Sequence, residues 1–251
     1  MPAAIEFRDL EVRTPQGRVL LDHISLALEQ GGVTAILGRS GSGKTTLLRT
    51  VNRMVEATGG AVLVNGRDVR EANLISLRRR MGYVIQETGL FPHFTVERNV
   101  GLVLEAEGRE REGRAQRSRE LLAAVGLDAE TFARRLPHQL SGGQRQRVGL
   151  ARALAAEPPI LLMDEPFGAL DPITRAEIQM EFKKLQQKLG KTIVFVTHDV
   201  GEALLLGDRI GLMEEGRLRG VYTSDEFLRA PDESAKAYVD VFRVGQQMFR
   251  D

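Results

Sequence analysis

The chain has 251 residues, 42% of them hydrophobic, with 35 basic and 34 acidic side chains and a formal net charge of +1 at pH 7. This near balance removes the usual electrostatic argument for a protein that wraps nucleic acid, and we expect no nucleic-acid partner. The sequence contains no cysteine, which excludes disulfides, thiolate metal sites and thiol catalysis.

The N-terminal segment predicts antiparallel β structure. Apolar residues recur at Ile5, Phe7, Leu10 and Val12, and residues 19–28 follow with a similar pattern. We expect a β meander here that leads into the first buried strand. Charged residues at positions 6, 8 and 9 leave no apolar stretch for a secretory signal. No apolar run approaches the roughly 18 residues that span a bilayer, so we expect no membrane-spanning segment.

Four short apolar segments predict buried parallel strands, at residues 33–37, 81–85, 160–163 and 193–196. Each is followed by glycine or polar residues. Because the carboxyl ends of parallel strands form the ligand crevice of an α/β sheet, we expect the four strand ends to contribute to one site. Helical spacing of apolar residues predicts helices over residues 45–55 and 174–189.

A glycine-rich loop follows the first of these strands and precedes the first helix. Its sequence GRSGSGKTT fits the pattern G-x-x-x-x-G-K-[ST], and it comprises Gly38, Arg39, Ser40, Gly41, Ser42, Gly43, Lys44, Thr45 and Thr46. Glycines allow consecutive backbone amides to point at a phosphate, together with the positive end of the helix dipole. Lys44 is then placed for the β- and γ-phosphates of a nucleotide, and the Thr45 hydroxyl for Mg²⁺.

The middle of the chain, residues 94–156, carries almost no strand signal and predicts an all-α insertion. Its residues 109–120 include five arginines and little apolar material, which is typical of a solvated helix face. Near its end stands LSGGQRQR, in which Ser141 is a natural helix N-cap. Gly142 and Gly143 bare the backbone amides, so this is a second helix start that faces an anion.

The third apolar strand delivers two adjacent carboxylates, in the sequence ILLMDEP. Asp164 is expected to hold the metal, directly or through water. Glu165 is expected to accept a proton from the water that attacks the γ-phosphate, which is worth roughly 10² to 10⁴ in rate. An apolar strand that ends in Asp-Glu is common. We interpret this one as part of a phosphate site only because the same chain contains the glycine-rich loop.

In this order, GRSGSGKT, Gln86, LSGGQ, LLMDEP, GALD and His198 resemble the ATP-binding subunit of ABC transporters. The resemblance reaches from the N-terminus to about Gly220. It implies an α/β fold: a P-loop NTPase core with a mostly parallel sheet, the antiparallel meander and the all-α inserted subdomain. It also implies ATP hydrolysis with Mg²⁺ as cofactor, coupled to transport across a membrane.

Roles follow residue by residue from the resemblance. Gln86 would sense the γ-phosphate, ligate Mg²⁺ with Thr45 and Asp164, and lie near the membrane partner. His198 would contact the γ-phosphate beside the catalytic Glu165. The signature residues Ser141, Gly142, Gly143 and Gln144 would complete the ATP site of a second copy in a head-to-tail dimer, and Asp171 would link the two sites.

One departure from the family pattern concerns the nucleotide base. An aromatic residue usually stacks on adenine about 30 residues before the loop lysine, whereas this chain reads Val12, Arg13, Thr14 and Pro15 there. We therefore expect weaker or less selective base recognition, or stacking by Arg13 instead.

The segment after Gln86 (ETGLFPHFTVERNV), together with residues 51–56 and RRRMGYVIQ, resembles importers of osmoprotectants or quaternary amines such as glycine betaine, choline and carnitine. The partners implied are transmembrane permease subunits and, indirectly, a substrate-binding protein, with the chain peripheral at the cytoplasmic face of the membrane. Another ABC transporter, for a different substrate or for export, is the alternative.

Three further classes remain open. A soluble ABC ATPase of translation or DNA repair usually fuses two ATPase halves or inserts a long coiled coil, and this chain has neither. A P-loop small-molecule kinase has no use for LSGGQ. A pure binding module is opposed by the intact Glu165. For the organisation of the chain we expect one nucleotide-binding domain over residues 1–220, with its helical part at about 94–156, and a short tail over 221–251.

Overall fold

Two structural units are present in the computed structural model, which describes residues 3–86 and 88–247. The first unit combines the described residues of Met1–Ala72 and Val194–Asp251, and the second is Asn73–Ile193. Glu87 of the segment that follows Gln86, and residues 248–251 of the expected tail, lie outside the described residues. The expected division at residue 220 stays a prediction.

The strands and helices are numbered in chain order. They are β1 (Ala3–Arg13), β2 (Val19–Glu29), β3 (Val33–Leu37), α1 (Lys44–Val51), β4 (Gly59–Val64), β5 (Arg67–Asp68), α2 (Leu74–Arg79), β6 (Met81–Val84), α3 (Val96–Ala106), α4 (Arg111–Ala124), α5 (Ala129–Phe132), α6 (Gly142–Leu154), β7 (Ile160–Asp164), α7 (Pro172–Leu189), β8 (Thr192–Thr197), α8 (Val200–Leu206), β9 (Arg209–Glu214), β10 (Arg217–Tyr222), α9 (Ser224–Leu228) and α10 (Glu233–Gln247).

The N-terminal strands of the first unit form an antiparallel sheet, as the alternating apolar residues predict. Ile5, Phe7, Leu10 and Val12 are all buried, and β1 pairs antiparallel with both β2 and β4. The strand order is β2-β1-β4-β5. Strand β3, which follows β2 in the chain, is therefore not part of this sheet. Strand β4 pairs with β1 on the side opposite β2.

A second group of strands in the first unit holds the glycine-rich loop. Strand β3 is buried at every residue and pairs in parallel with β9, which pairs antiparallel with β10. The backbone amide of Gly38, just after β3, donates to the carbonyl of Thr197 at the end of β8, at 3.3 Å. Two of the four expected strand ends thus lie side by side.

Helix α1 ends earlier than expected, at Val51 instead of at residue 55. The side-chain oxygen of Asn52 accepts the amide of Met54 at 3.1 Å, and Arg53 takes a left-handed conformation with φ 53°. Asparagine favours such local side-chain bonds over a continued helix. A turn therefore replaces the last expected helical residues.

The second unit brings together the other two strand ends. Strands β6 and β7 are parallel, with Val84 opposite Met163, so the residues after both strands emerge at the same edge. Strand β6 stops at Val84, one residue before the expected end. The helices α3 to α6 occupy the segment expected to be helical. On α4, the exposed Arg119 forms ion pairs with Glu97 and Glu130.

The C-terminal part of the first unit carries two helices. In α9 the side chain of Phe227 is fully buried, and in α10 Ala235 and Val239 are buried. The ring of Phe242 lies against Gly201 of α8. Among the described residues, no helix has the length and apolar character needed to cross a membrane.

Candidate functional site

The glycine-rich loop (residues 38–46) packs closely against other residues of the first unit. Gly41 and Gly43 have φ of 79° and 99°, a region that residues with a Cβ rarely adopt. A Cβ at Gly43 would lie 2.9 Å from the carbonyl oxygen of Leu20, and a Cβ at Gly38 would lie 2.4 Å from that of Met213. Conformation therefore favours glycine at Gly41 and Gly43, and packing requires it at Gly38 and Gly43.

Helix α1 begins inside this loop without a side-chain cap. Its N-cap is Gly43, which has no side chain to accept the first amides of the helix. Amides of this kind, together with the helix dipole, favour an anion. The Lys44 side chain is buried, and its Nζ donates to the carbonyls of Gly38 at 2.8 Å and Arg39 at 2.9 Å. The ammonium group is thus fixed within the loop itself.

His198 lies at the end of β8 in the same unit, and its side chain is exposed. The turn around it is well fixed. Thr197 donates its hydroxyl to the buried carboxylate of Glu202 at 2.5 Å, and its Oγ1 accepts the amide of Asp199 at 3.0 Å. The structure therefore places the predicted His198 on a rigid turn whose strand adjoins the start of the glycine-rich loop.

In the second unit, Gln86, Asp164 and Glu165 are brought together. The Gln86 Nε2 lies 3.4 Å from the Glu165 Oε2, although the two residues are 79 positions apart in sequence. Asp164 is buried, and the Tyr83 hydroxyl lies 3.4 Å from its Oδ2. Tyr83 was not predicted from the sequence. A tyrosine within an apolar strand was the signal that could have indicated this contact. A partly buried phenol usually has a hydrogen-bond partner.

Glu165 has an unusual backbone conformation. Its φ is 44°, in the left-handed region that a residue with a long side chain seldom occupies. Strain of this kind costs on the order of 1–3 kcal/mol and is concentrated at functional sites. The side chain is part-exposed, so it can meet both a ligand and water.

The LSGGQ segment starts α6 through a reciprocal pair of hydrogen bonds. Ser141 Oγ accepts the amide of Gln144 at 3.2 Å, and Gln144 Oε1 accepts the amide of Ser141 at 2.9 Å. This is a capping box. The sequence predicted that Ser141 caps the helix, but not that Gln144 takes part in the cap. A Cβ at Gly143 would lie 2.5 Å from a methyl carbon of Thr174, so a larger residue there would have to displace the Thr174 side chain.

Asp171 caps the next helix, α7. Its carboxylate accepts the amide of Thr174 at 3.1 Å, and this backbone bond holds the pKa of the Asp171 carboxyl below its usual value. The N-termini of α6 and α7 are in contact, since Gly143 lies against Thr174. The structure therefore brings the signature residues and Asp171 to neighbouring helix starts.

The oxygen donors at the predicted metal positions are of the kind that Mg²⁺ takes. In the first unit Thr45 offers a hydroxyl oxygen, and in the second unit Gln86 and Asp164 offer an amide and a carboxylate oxygen. Within residues 3–86 and 88–247, no group of three or more His, Asp or Glu side chains could hold a metal ion. An ion that takes only one or two carboxylates and completes its shell with substrate phosphates and water fits this composition.

Comparisons with known proteins give one family. A family model described as "ABC transporter" matches residues 21–168. The glycine betaine/carnitine/choline transport ATP-binding protein OpuCA of Bacillus subtilis (strain 168) is 49% identical over 226 residues, which are 90% of this chain and 58% of that protein. The osmoprotectant import ATP-binding protein OsmV of Salmonella typhimurium is 46% identical over 226 residues, again 90% and 58%. The chain thus spans somewhat under two thirds of these relatives' length.

Solved structures are also similar. The dimeric ATP-binding cassette MJ0796, in a post-hydrolysis state bound to ADP and Pi, has a TM-score of 0.78 and 34% identity, covering 88% of this chain and 98% of that chain. The structure of cbiO1 from Clostridium perfringens, part of the complex cbiONQ, has a TM-score of 0.84 and 28% identity, with 99% of each chain covered.

Proposed function

Because the chain belongs to the ABC transporter family, we propose that it binds and hydrolyses ATP and thereby energises transport across a membrane. The observation that carries this proposal is the glycine-rich loop that opens into an uncapped helix with Lys44 fixed inside it. An anion-binding helix start with a buried lysine is what the phosphates of a nucleotide require.

Binding of ATP is assigned to the loop residues 38–46. Their backbone amides surround the phosphates, and Lys44 gives a positive charge to the β- and γ-phosphates. Mg²⁺, when bound, neutralises charge on the transferred phosphate. Roles toward this ion are proposed for Thr45, Gln86 and Asp164 from the motif positions that they occupy. The ADP and Pi in the similar cassette MJ0796 support a nucleotide of this kind.

Hydrolysis is assigned to Glu165. Its carboxylate accepts a proton from the attacking water, while the Gln86 amide, 3.4 Å from Glu165 Oε2, holds the carboxylate in place. His198 is proposed as a contact of the γ-phosphate. The fixed turn between Thr197 and Glu202 supports this role, because it limits the positions that His198 can take.

A second copy of the chain is proposed as a partner. The similar MJ0796 cassettes are dimeric. In a head-to-tail dimer, Ser141, Gly142, Gly143 and Gln144 would face the ATP of the other copy, and Asp171 would link the two sites. The amides of Gly142 and Gly143 support this assignment, because neither bond of the capping box uses them and they lie at the start of α6.

The transported substrate is proposed to be an osmoprotectant or quaternary amine of the glycine betaine, choline and carnitine class, taken up into the cell. Two relatives support this class: OpuCA, a glycine betaine/carnitine/choline transport ATP-binding protein, and OsmV, an osmoprotectant import ATP-binding protein. Permease subunits would bind near Gln86 to Phe94, at the cytoplasmic face of the membrane, and a substrate-binding protein would act through them. Another substrate, or export, is the alternative.

Product analysis tests the proposed activity. Incubation with ATP and Mg²⁺ is expected to release free phosphate, and omission of Mg²⁺ is expected to abolish the release. A phosphorylated acceptor without free phosphate would indicate a kinase instead. Co-purification of a tagged chain with a permease in the membrane fraction tests the transport role, and its recovery only with soluble partners would favour a soluble ABC ATPase.

Base selectivity is expected to be low. Arg13 is the candidate to contact the base, and its guanidinium is already bonded to Glu11, with Nε and Nη2 at 3.0 and 2.9 Å from Oε2. Without an aromatic ring near Thr14, we expect the dissociation constants for ATP and GTP to lie within about tenfold of each other. Calorimetric titration with both nucleotides measures this, and tight binding with a strong preference for ATP would contradict it.

A further inference from the structure

The segment that follows Gln86 is fastened to helix α6 by Arg152. This arginine lies near the C-terminal end of α6, and its Nη2 donates to the carbonyl of Thr88 and its Nη1 to the carbonyl of Gly89, both at 2.7 Å. All of these residues belong to the second unit. Gly149, one turn earlier in α6, also approaches the segment, since a Cβ there would lie 3.7 Å from the Thr88 Cβ. One face of α6 therefore packs directly on the residues behind Gln86.

The two hydrogen bonds from Arg152 have a charged donor. Such bonds are shorter and stronger than those between neutral groups. The side chain is part-buried, and burial lowers the pKa of the Arg152 guanidinium, yet arginine stays protonated in proteins. Its planar fork of donors can bind two carbonyls at once, whereas a lysine offers a single ammonium group. The carbonyls of Thr88 and Gly89 are therefore held in a defined position.

The far end of the same segment is held by Asn99 of α3. The buried Asn99 side chain accepts the amide of Phe91 at 2.8 Å and donates to the carbonyls of Phe91 at 3.1 Å and Phe94 at 3.0 Å. These contacts begin at Phe91, five residues beyond Gln86, whereas those of Arg152 begin two residues beyond it. Arg152 is thus the closer of the two anchors to Gln86 along the chain.

The contact between Gln86 and Glu165 is sensitive to the position of this segment. The Gln86 Nε2 lies 3.4 Å from the Glu165 Oε2, at the long end of the range for a hydrogen bond, so a small displacement is enough to separate the two groups. Consecutive Cα atoms are about 3.8 Å apart in a trans peptide, and Thr88 is only two residues from Gln86. A shift of the segment at Thr88 would therefore be transmitted to Gln86.

We propose that Arg152 is a positioning residue for ATP hydrolysis and acts through Gln86. By holding the segment behind Gln86 on α6, it keeps the Gln86 amide beside the Glu165 carboxylate. The helix that begins at the signature residues then also sets the position of Gln86. The proposal rests on the proposed hydrolysis of ATP and deepens it, because it assigns a role to a residue outside the motifs.

The test is the substitution Arg152→Ala, which removes both hydrogen bonds to the segment. The kcat of phosphate release at saturating ATP and Mg²⁺ is expected to fall about tenfold to a hundredfold, since small misplacements of catalytic groups have effects of this order. The dissociation constant for ATP is expected to stay within about twofold, because the glycine-rich loop is unchanged. Arg152→Lys keeps the charge but binds one carbonyl less well, so its kcat is expected to fall only about threefold to tenfold.

The matched control is Arg79→Ala in α2. The exposed Arg79 also donates to a backbone carbonyl, that of Ala106 at 2.9 Å, but this carbonyl lies at the end of α3. We expect its kcat and ATP affinity to be unchanged. Thermal unfolding of each variant separates folding from catalysis, and a lower Tm in Arg152→Ala with unchanged kcat per amount of folded protein would overturn the proposal. If Arg152→Ala does not fold, Arg152→Lys decides, and an unchanged kcat in that variant would overturn it.

A double substitution tests whether Arg152 acts through Gln86. Gln86→Ala alone is expected to lower kcat, and Arg152→Ala added to it is expected to lower kcat no further. Two losses that multiply would overturn the proposal. Failure of the unsubstituted chain to release phosphate from ATP would overturn the proposed function instead, so the two failures are distinguishable.

Discussion

The substitution Glu165→Gln is expected to leave ATP bound but to lower kcat by about 10²-fold to 10⁴-fold or more, since a general base contributes that much to rate. The amide of glutamine has nearly the same shape as the carboxylate and can still meet Gln86, whose Nε2 lies 3.4 Å from Glu165 Oε2. It cannot accept a proton from water. Phosphate release and ATP titration measure the two effects separately.

The chain offers a matched control for this substitution. Glu157 also has a left-handed backbone, with φ 53° against 44° for Glu165, but it follows α6 and forms an ion pair with Arg117 at 2.9 Å. Glu157→Gln is therefore expected to hydrolyse ATP at the normal rate. Normal turnover in Glu165→Gln would refute the assignment of the base.

The substitution Lys44→Ala is expected to weaken ATP binding by about tenfold to a hundredfold, which corresponds to the loss of a hydrogen bond to a charged group. The Lys44 Nζ now donates to the carbonyls of Gly38 and Arg39, and both would lose a donor. The glycine-rich loop would therefore become less ordered and less positive at once. Titration with ATP gives the affinity.

Thermal unfolding separates loss of binding from loss of folding in Lys44→Ala. Lys188→Ala in the last turn of α7 removes the same charge at an exposed position and is expected to bind ATP normally. A Lys44→Ala protein that unfolds at the usual temperature and still binds ATP with unchanged affinity would contradict the role of the lysine.

Local patterns were sufficient to predict much of the fold. The buried strands β3, β6, β7 and β8 are found within one residue of their expected bounds, because continuous apolar runs between polar residues admit few other structures. The α/β fold of a P-loop NTPase core is confirmed by the likeness to solved ATP-binding cassettes. The predicted end of α1 was wrong, because Asn52 and Arg53 form a turn that the spacing of apolar residues does not indicate.

The candidate site was predictable as a set of motif residues but not as an arrangement. Nothing local indicates that Gln86 reaches Glu165 or that Tyr83 reaches Asp164, since both pairs depend on the pairing of β6 with β7. The left-handed backbone of Glu165 is likewise set by the surrounding structure. The contact of Arg152 with the segment behind Gln86 depends on where α6 lies, and no motif marks it.

The reciprocal bonds between Ser141 and Gln144 have a consequence for how mutational data on this chain are interpreted. Both residues complete the first turn of their own helix, and loss of such a cap typically costs about 1 kcal/mol. A low yield or poor growth after substitution of either residue would therefore report reduced abundance as readily as a lost contact with the other copy. Mutational scans of this segment therefore combine the effect on folding with the effect on contact with the other copy. Only measurements on equal amounts of folded protein can separate the two effects.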